Sequence, residues 1–150
     1  MKYIFGFGTY TRGDDSIGLK IVEYILNNGL EKDFKAVEIG NDNYLFLTYF
    51  TEDVEKMLII DASDISGDPG IFKIFSPEAV ISKKITGNIN AHEGDVIKSI
   101  ELAKSLGYPV PEIKIMGIQP KTLDFKEKLS DVLKENFKLY VETALEEIKN

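Results

Sequence analysis

The sequence contains no cysteine and no tryptophan, and it has a single histidine, His92, and a single arginine, Arg12. Without cysteine the chain cannot form a disulfide framework, a thiolate zinc site or a cysteine nucleophile. Any metal site must therefore be built from oxygen ligands and His92.

Long apolar runs are also missing, since none approaches the ~20 residues that a membrane-spanning helix needs. The N-terminus lacks the basic and apolar regions of a secretory signal. A net charge of −7 and a pI near 4.8 disfavour nucleic acid as a partner, because such binding depends on neutralising phosphates. We therefore expect a cytoplasmic protein without nucleic-acid or membrane partners, folded as one domain over residues 1–150. We expect it to be a monomer.

Apolar segments alternate along the chain with amphipathic ones, which predicts an α/β fold. We expect a three-layer αβα sandwich around a twisted, mostly parallel five-stranded sheet, with one antiparallel edge strand. The predicted strands are 2–6, 34–40, 57–63, 71–75 (the edge strand) and 112–120. The predicted helices are 16–28, 43–51, 94–106 and 125–149, with one further turn in 76–82. In such sheets ligands bind beyond the carboxyl ends of the strands.

The loop after the first strand reads GFGTYTRGDD and resembles a phosphate cradle at first sight. A dinucleotide fingerprint would need a third glycine at position 11, which is Thr11. Asp14 and Asp15 would also repel a phosphate at the helix start. A nucleotide-binding protein is therefore the weaker alternative. Either aspartate can cap the helix, but one cap accounts for only one of them.

Two further residues are predicted to lie at the same edge of the sheet. Asp61 ends the buried strand LIID, and His92 begins the helix after a polar loop. Each can be a turn or capping residue, but the topology allows Asp15, Asp61 and His92 to converge. Two carboxylates and one imidazole suit Ni²⁺, Zn²⁺ or Fe²⁺ and leave positions open for substrate or water. Asp64 is a candidate for supporting such a site from behind or for forming a turn.

Four segments resemble, in order and spacing, the hydrogenase maturation endopeptidases, which trim the C-terminal tail of nickel–iron hydrogenase large subunits. They are GFGTYTRGDDSIG, LIIDASDISGDPG, NAHEGD and IMGIQP, and the likeness extends from about residue 2 to residue 125. The resemblance implies that Asp15, Asp61 and His92 are the metal-binding and catalytic residues. From their positions beside these residues, we expect Asp14 and Asp64 to support them. It also implies that the metal is the nickel carried by the precursor, for which zinc or cadmium could substitute in vitro.

The sequence departs from the family pattern at several positions. Thr9 stands where asparagine is usual, and Ser16 replaces a glycine. The family's Asp-Gly-Gly-[Ser/Thr] segment is represented only by EIGNDN, so Gly40, Asn41 and Asp42 are the predicted substrate-binding residues. A relative that binds nickel or the precursor without cutting it is therefore the main alternative function.

Overall fold

The computed structural model describes residues 1–82, 91–121 and 128–150, with residues 80–82 and 91–95 described by their backbone alone. The strands are β1 (Lys2–Phe7), β2 (Lys35–Gly40), β3 (Lys56–Ala62), β4 (Phe72–Phe75) and β5 (Glu112–Ile118). The helices are α1 (Ile17–Asn27), α2 (Asn43–Leu47), α3 (Pro77–Ser82), α4 (Ala91–Ser105), α5 (Asp131–Glu135) and α6 (Phe137–Lys149). A 3-10 turn, Gly13–Ser16, precedes α1. Within these ranges no helix has both the length and the apolar character to cross a membrane.

The five strands form one sheet in the order β2-β1-β3-β5-β4. All neighbouring strands are parallel except β4, which runs antiparallel to β5 at the edge. The predicted sheet and its antiparallel edge strand are thus confirmed. The parallel strands β1, β3 and β5 end at the same edge, which we call the carboxyl edge.

Two hydrophobic cores lie on opposite faces of the sheet. Leu58 and Ile60 of β3 belong to the core that includes α1 and α6. Met57 and Ile59 belong to the core that includes α2 and α4. Every residue of β3 is buried, as expected for a central strand covered on both faces. Helices on both faces confirm the three-layer sandwich.

The C-terminal helix differs from the prediction of one helix over 125–149. Residues 122–127 lie outside the described ranges, and the remainder forms two helices that meet at Asn136. The Asn136 side-chain amide donates to the carbonyl oxygen of Val132 at 2.8 Å. The Asn136 backbone amide donates to the same carbonyl oxygen at 3.2 Å, so helical hydrogen bonding continues up to the residue at which the two helices meet.

Helix α1 begins differently from the expected aspartate cap. Its N-cap is Ser16, which makes no side-chain capping hydrogen bond, and both aspartates lie in the preceding 3-10 turn. The capping prediction was wrong because the carboxylate of Asp14 has partners from the distant C-terminal region, described below. The end of α1 agrees with the sequence, since Gly29 follows it with a φ of 61°.

Candidate active site

The loop after β1 is fastened to the end of β2. Gly8 has a φ of 131°, which favours glycine, and its amide donates to the carbonyl oxygen of Gly40 at 3.0 Å. The Asn41 side-chain amide donates to the Thr9 hydroxyl, also at 3.0 Å. The predicted substrate-binding segment therefore lies directly beside the loop that leads to the two aspartates. Thr9 and Asn41, two departures from the family pattern, contact each other.

Two glycines allow α1 to start in close contact with the sheet. A Cβ on Gly18 would lie 2.2 Å from the carbonyl oxygen of Ile60 in β3. A Cβ on Gly6 of β1 would lie 2.5 Å from the carbonyl oxygen of Gly18. Because real Cβ atoms never approach backbone this closely, both positions require glycine. This contact holds the 3-10 turn with Asp15 against the end of β3.

Asp14 connects this turn to the C-terminal region. Its side chain is fully buried, and it accepts hydrogen bonds from the Lys121 amide at 2.8 Å and the Ser130 amide at 2.7 Å. The Ser130 hydroxyl donates to it as well, at 2.7 Å. Asp14 therefore braces the segment that leads from β5 into α5. This geometry agrees with a supporting role behind the site, although that role stays a prediction.

Asp15 and Asp61 are both buried carboxylates at the carboxyl edge. Asp15 is 2% exposed and Asp61 is 1% exposed. Asp61 lies one residue before the end of β3, opposite Gly117 of β5, and the turn that carries Asp15 contacts β3. Burying a carboxylate is costly unless its charge is compensated, so each of these two acids requires polar or charged partners.

His92 is the second residue of α4, and its side chain lies outside the described part of the structure. Helix α4 leads into the start of β5 through residues 106–111, and its 15 residues span about the length of that strand. Its first residues are therefore placed at the carboxyl edge.

Helix α4 and Asp61 also share a face of the sheet. The core on the α4 face contains Ile59, and side chains alternate along a strand, which puts Asp61 on that same face. Among the described side chains, which do not include that of His92, no three His, Cys, Asp or Glu residues are grouped so that they could hold a metal ion. The convergence of Asp15, Asp61 and His92 stays a prediction.

The other two acids predicted to belong to the site, Asp42 and Asp64, are exposed and accept hydrogen bonds from nearby backbone amides. Asp64 accepts a hydrogen bond from the Ser66 amide at 3.0 Å, which forms a turn. Asp42 caps α2 by accepting from the Leu45 amide at 3.0 Å. These contacts account for both side chains structurally, and their predicted roles in supporting the site and binding substrate stay predictions.

Tyr10 is a further residue of this edge that the sequence did not single out. Its hydroxyl contacts the carboxylates of Glu38 and Glu23, which fastens the first loop to β2 and α1. Burial, followed by the hydrogen bond to Glu38, raises the pKa of the Tyr10 phenol. No local pattern predicts this contact, since Glu38 lies 28 residues further along the chain.

Comparison with known proteins gives a consistent result. The family model for hydrogenase maturation proteases matches residues 19–147. A Methanocaldococcus jannaschii protein that its name assigns to these proteases is 28% identical, over 97% of this chain and 95% of its own length. The [NiFe] hydrogenase maturation protease HybD of Thermococcus kodakarensis is 28% identical, with a TM-score of 0.79 and 98% of each chain covered.

A more distant solved structure supports the fold alone. The hydrogenase maturating endopeptidase HybD of E. coli superimposes with a TM-score of 0.83 at 18% identity. The superposition covers 99% of this chain and 91% of that one. The three-layer architecture is thus found in full in proteins whose sequences have diverged widely.

Proposed function

The chain belongs to the hydrogenase maturation protease family, and we propose that it is an endopeptidase that removes the C-terminal extension of a nickel–iron hydrogenase large-subunit precursor. The observation that carries this proposal is the pair of buried carboxylates at the carboxyl edge. Asp15 lies on the 3-10 turn before α1, which the close backbone contacts of Gly6 and Gly18 hold against β3. Asp61 lies in β3 itself.

The chemistry of these donors fits a divalent ion. Two carboxylates supply oxygen ligands, and His92 would supply one nitrogen ligand, a set that suits nickel and leaves positions open. In this proposal the nickel is part of the substrate, carried by the precursor. Bound there, the ion would fix the precursor next to the scissile peptide bond and could polarise its carbonyl.

The protein's own residues would then orient and cleave the peptide. Asp15 and Asp61 would bind the precursor through its nickel, and Gly40, Asn41 and Asp42 would contact the segment that enters the site. Cleavage adds one water molecule across the peptide bond, breaking the C–N bond and giving a new carboxylate and a new amine. A carboxylate oxygen of Asp15 or Asp61 that does not face the metal could accept the proton of that water.

A processing assay tests the proposal. Purified protein is incubated with a nickel-loaded large-subunit precursor from the same organism, and mass spectrometry follows loss of the C-terminal peptide. We expect cleavage at one position and none with precursor prepared without nickel. Equal cleavage of both preparations would refute nickel recognition while leaving the protease activity intact.

The same experiment separates the alternative functions. If the precursor binds but its tail stays intact, the protein is a binding relative that does not cut. If neither binding nor cleavage occurs, the effect of nucleotides on thermal stability tests the nucleotide-binding alternative, because a ligand that binds only the folded state raises the melting temperature.

A further inference from the structure

Ser63 is a buried hydroxyl with an unusual environment. Its side chain is fully buried, and its Oγ has no hydrogen-bond partner among the residues that the structure describes. Ser16, another buried serine of this region, donates instead to the carbonyl oxygen of Gly13 at 2.7 Å. A buried hydroxyl that forms no hydrogen bond destabilises the fold, so a serine at this position indicates a role other than stabilising the protein.

The position of Ser63 places it next to Asp61. The Ser63 amide donates to the carbonyl oxygen of Ile118 at 2.9 Å, which continues the β3–β5 pairing beyond Ala62. A Cβ on Gly117 would lie 3.1 Å from the Ser63 Oγ, so the hydroxyl occupies the face on which a side chain at 117 would project. Gly117 is the register partner of Asp61, and register partners share a face. Ser63 and Asp61 therefore lie on one face.

Ser63 is also nearer to the carboxyl edge than Asp61. Two residues of extended chain separate their Cα atoms by about 6.5 Å along the strand direction. A peptide that reaches Asp61 from this edge must pass Ser63. Both side chains are buried, with Asp61 1% exposed and Ser63 fully covered.

The hydroxyl supplies a kind of group that the two carboxylates cannot. An ionised carboxylate only accepts hydrogen bonds, whereas a serine hydroxyl can donate one. A peptide that enters the site presents carbonyl oxygens, and each of these loses its water and needs a donor. We propose that Ser63 is a substrate-binding residue whose hydroxyl donates a hydrogen bond to a main-chain carbonyl of the bound precursor. This inference rests on the proposed function.

The test compares Ser63→Ala with Ser99→Ala, a second buried serine in the middle of α4. Processing of the nickel-loaded precursor gives kcat and KM, and thermal unfolding gives Tm. For Ser63→Ala we expect KM to rise about five- to tenfold with kcat nearly unchanged, because a bond made equally before and during cleavage contributes to binding. We also expect Tm to rise by about 2–4 °C, since an unsatisfied buried hydroxyl has been removed.

Each result has a distinct meaning. Ser99→Ala should leave KM unchanged. A Ser63→Ala variant with a raised Tm and an unchanged KM would overturn the inference, and a lowered Tm would do so too, because the hydroxyl would then have a structural role. Wild-type protein that neither binds nor cuts the precursor would refute the proposed function, and with it this role of Ser63.

Discussion

Gly8 lies so close to Asp15 that a Cβ at position 8 would be 2.0 Å from the Asp15 carbonyl oxygen. This contact folds the loop after β1 back onto the 3-10 turn, and it fixes where that turn begins. The position of the buried Asp15 carboxylate therefore depends on a residue without a side chain.

Replacing Gly8 with alanine should displace the turn and weaken the fold. We expect Gly8→Ala to lower the free energy of unfolding by about 3 kcal/mol or more, from backbone strain combined with overpacking. Gly29→Ala is the matched control, since Gly29 also has a positive φ but no atom within 4 Å of its Cβ position. It should cost only about 1–2 kcal/mol. If urea unfolding gave the same loss of unfolding free energy for Gly8→Ala and Gly29→Ala, the Gly8–Asp15 contact would not contribute to stability.

Asp14 should matter for stability even though it is placed behind the site. Asp14→Asn replaces one carboxylate oxygen with an N–H group that faces backbone and hydroxyl donors. We expect a loss of about 2–4 kcal/mol in chemical unfolding. Asp131→Asn, an exposed acid in the first turn of α5, should change stability by less than about 1 kcal/mol. A loss for Asp14→Asn as small as that of the control would contradict the bracing role.

Tyr140 should make the protein less stable at high pH. Burial, with a smaller effect from the Asp14 charge, raises the pKa of Tyr140 from 10.0 to about 12. The unfolded chain therefore releases this proton near pH 10, while the folded protein holds it up to about pH 12. The stabilisation that comes from the raised pKa of Tyr140 is fully present below pH 10 and is lost as the pH rises from 10 to about 12. The free energy of unfolding, measured with urea at each pH across this range, should fall more steeply for the wild type than for Tyr140→Phe.

The comparison with phenylalanine isolates this one phenol. Tyr140→Phe also loses the 2.6 Å hydrogen bond to the Gly70 carbonyl oxygen, so it should start from a lower stability. Tyr10, whose pKa is raised too, is present in both proteins and contributes equally to both. Parallel curves for the two proteins would mean that the Tyr140 pKa is not raised by folding.

The buried carboxylates should be required for processing but not for folding. We expect Asp15→Asn and Asp61→Asn each to reduce the rate of precursor cleavage at least about 100-fold. Melting curves should still show a single cooperative transition, so that a loss of cleavage can be separated from a loss of folding. Asp68→Asn, an exposed acid, is the control and should cleave normally. Full activity in either buried variant would remove that residue from the site.

The sequence predicted the sheet well because its signals are local. The run MLII in β3 is apolar at every position, as a strand covered on both faces requires, and IFKIF alternates as an edge strand does. The same signals located Asp61, since an acid directly after an apolar strand lies at the strand's end. The short helix at Asn43–Leu47 was also predicted, from the limited room before β3.

The features that the sequence did not reveal depend on distant contacts. Asp14 was expected to cap its own helix, but its partners lie 107 and 116 residues away. The division of the last helix at Asn136 has no signal in the pattern of apolar residues. Ser63 resembles any turn serine in the sequence, and its burial is evident only once β5 is paired beside β3.

The bond between Asp14 and Ser130 also sets an order of events during synthesis. Ser130 is added to the chain 116 residues after Asp14, which at ribosomal speeds takes roughly 6–23 s. Until then the turn that carries Asp15 has been made but cannot be braced. A nascent chain therefore holds Asp15 and Asp61 without their final arrangement, and the site is complete only after Ser130 has been synthesised.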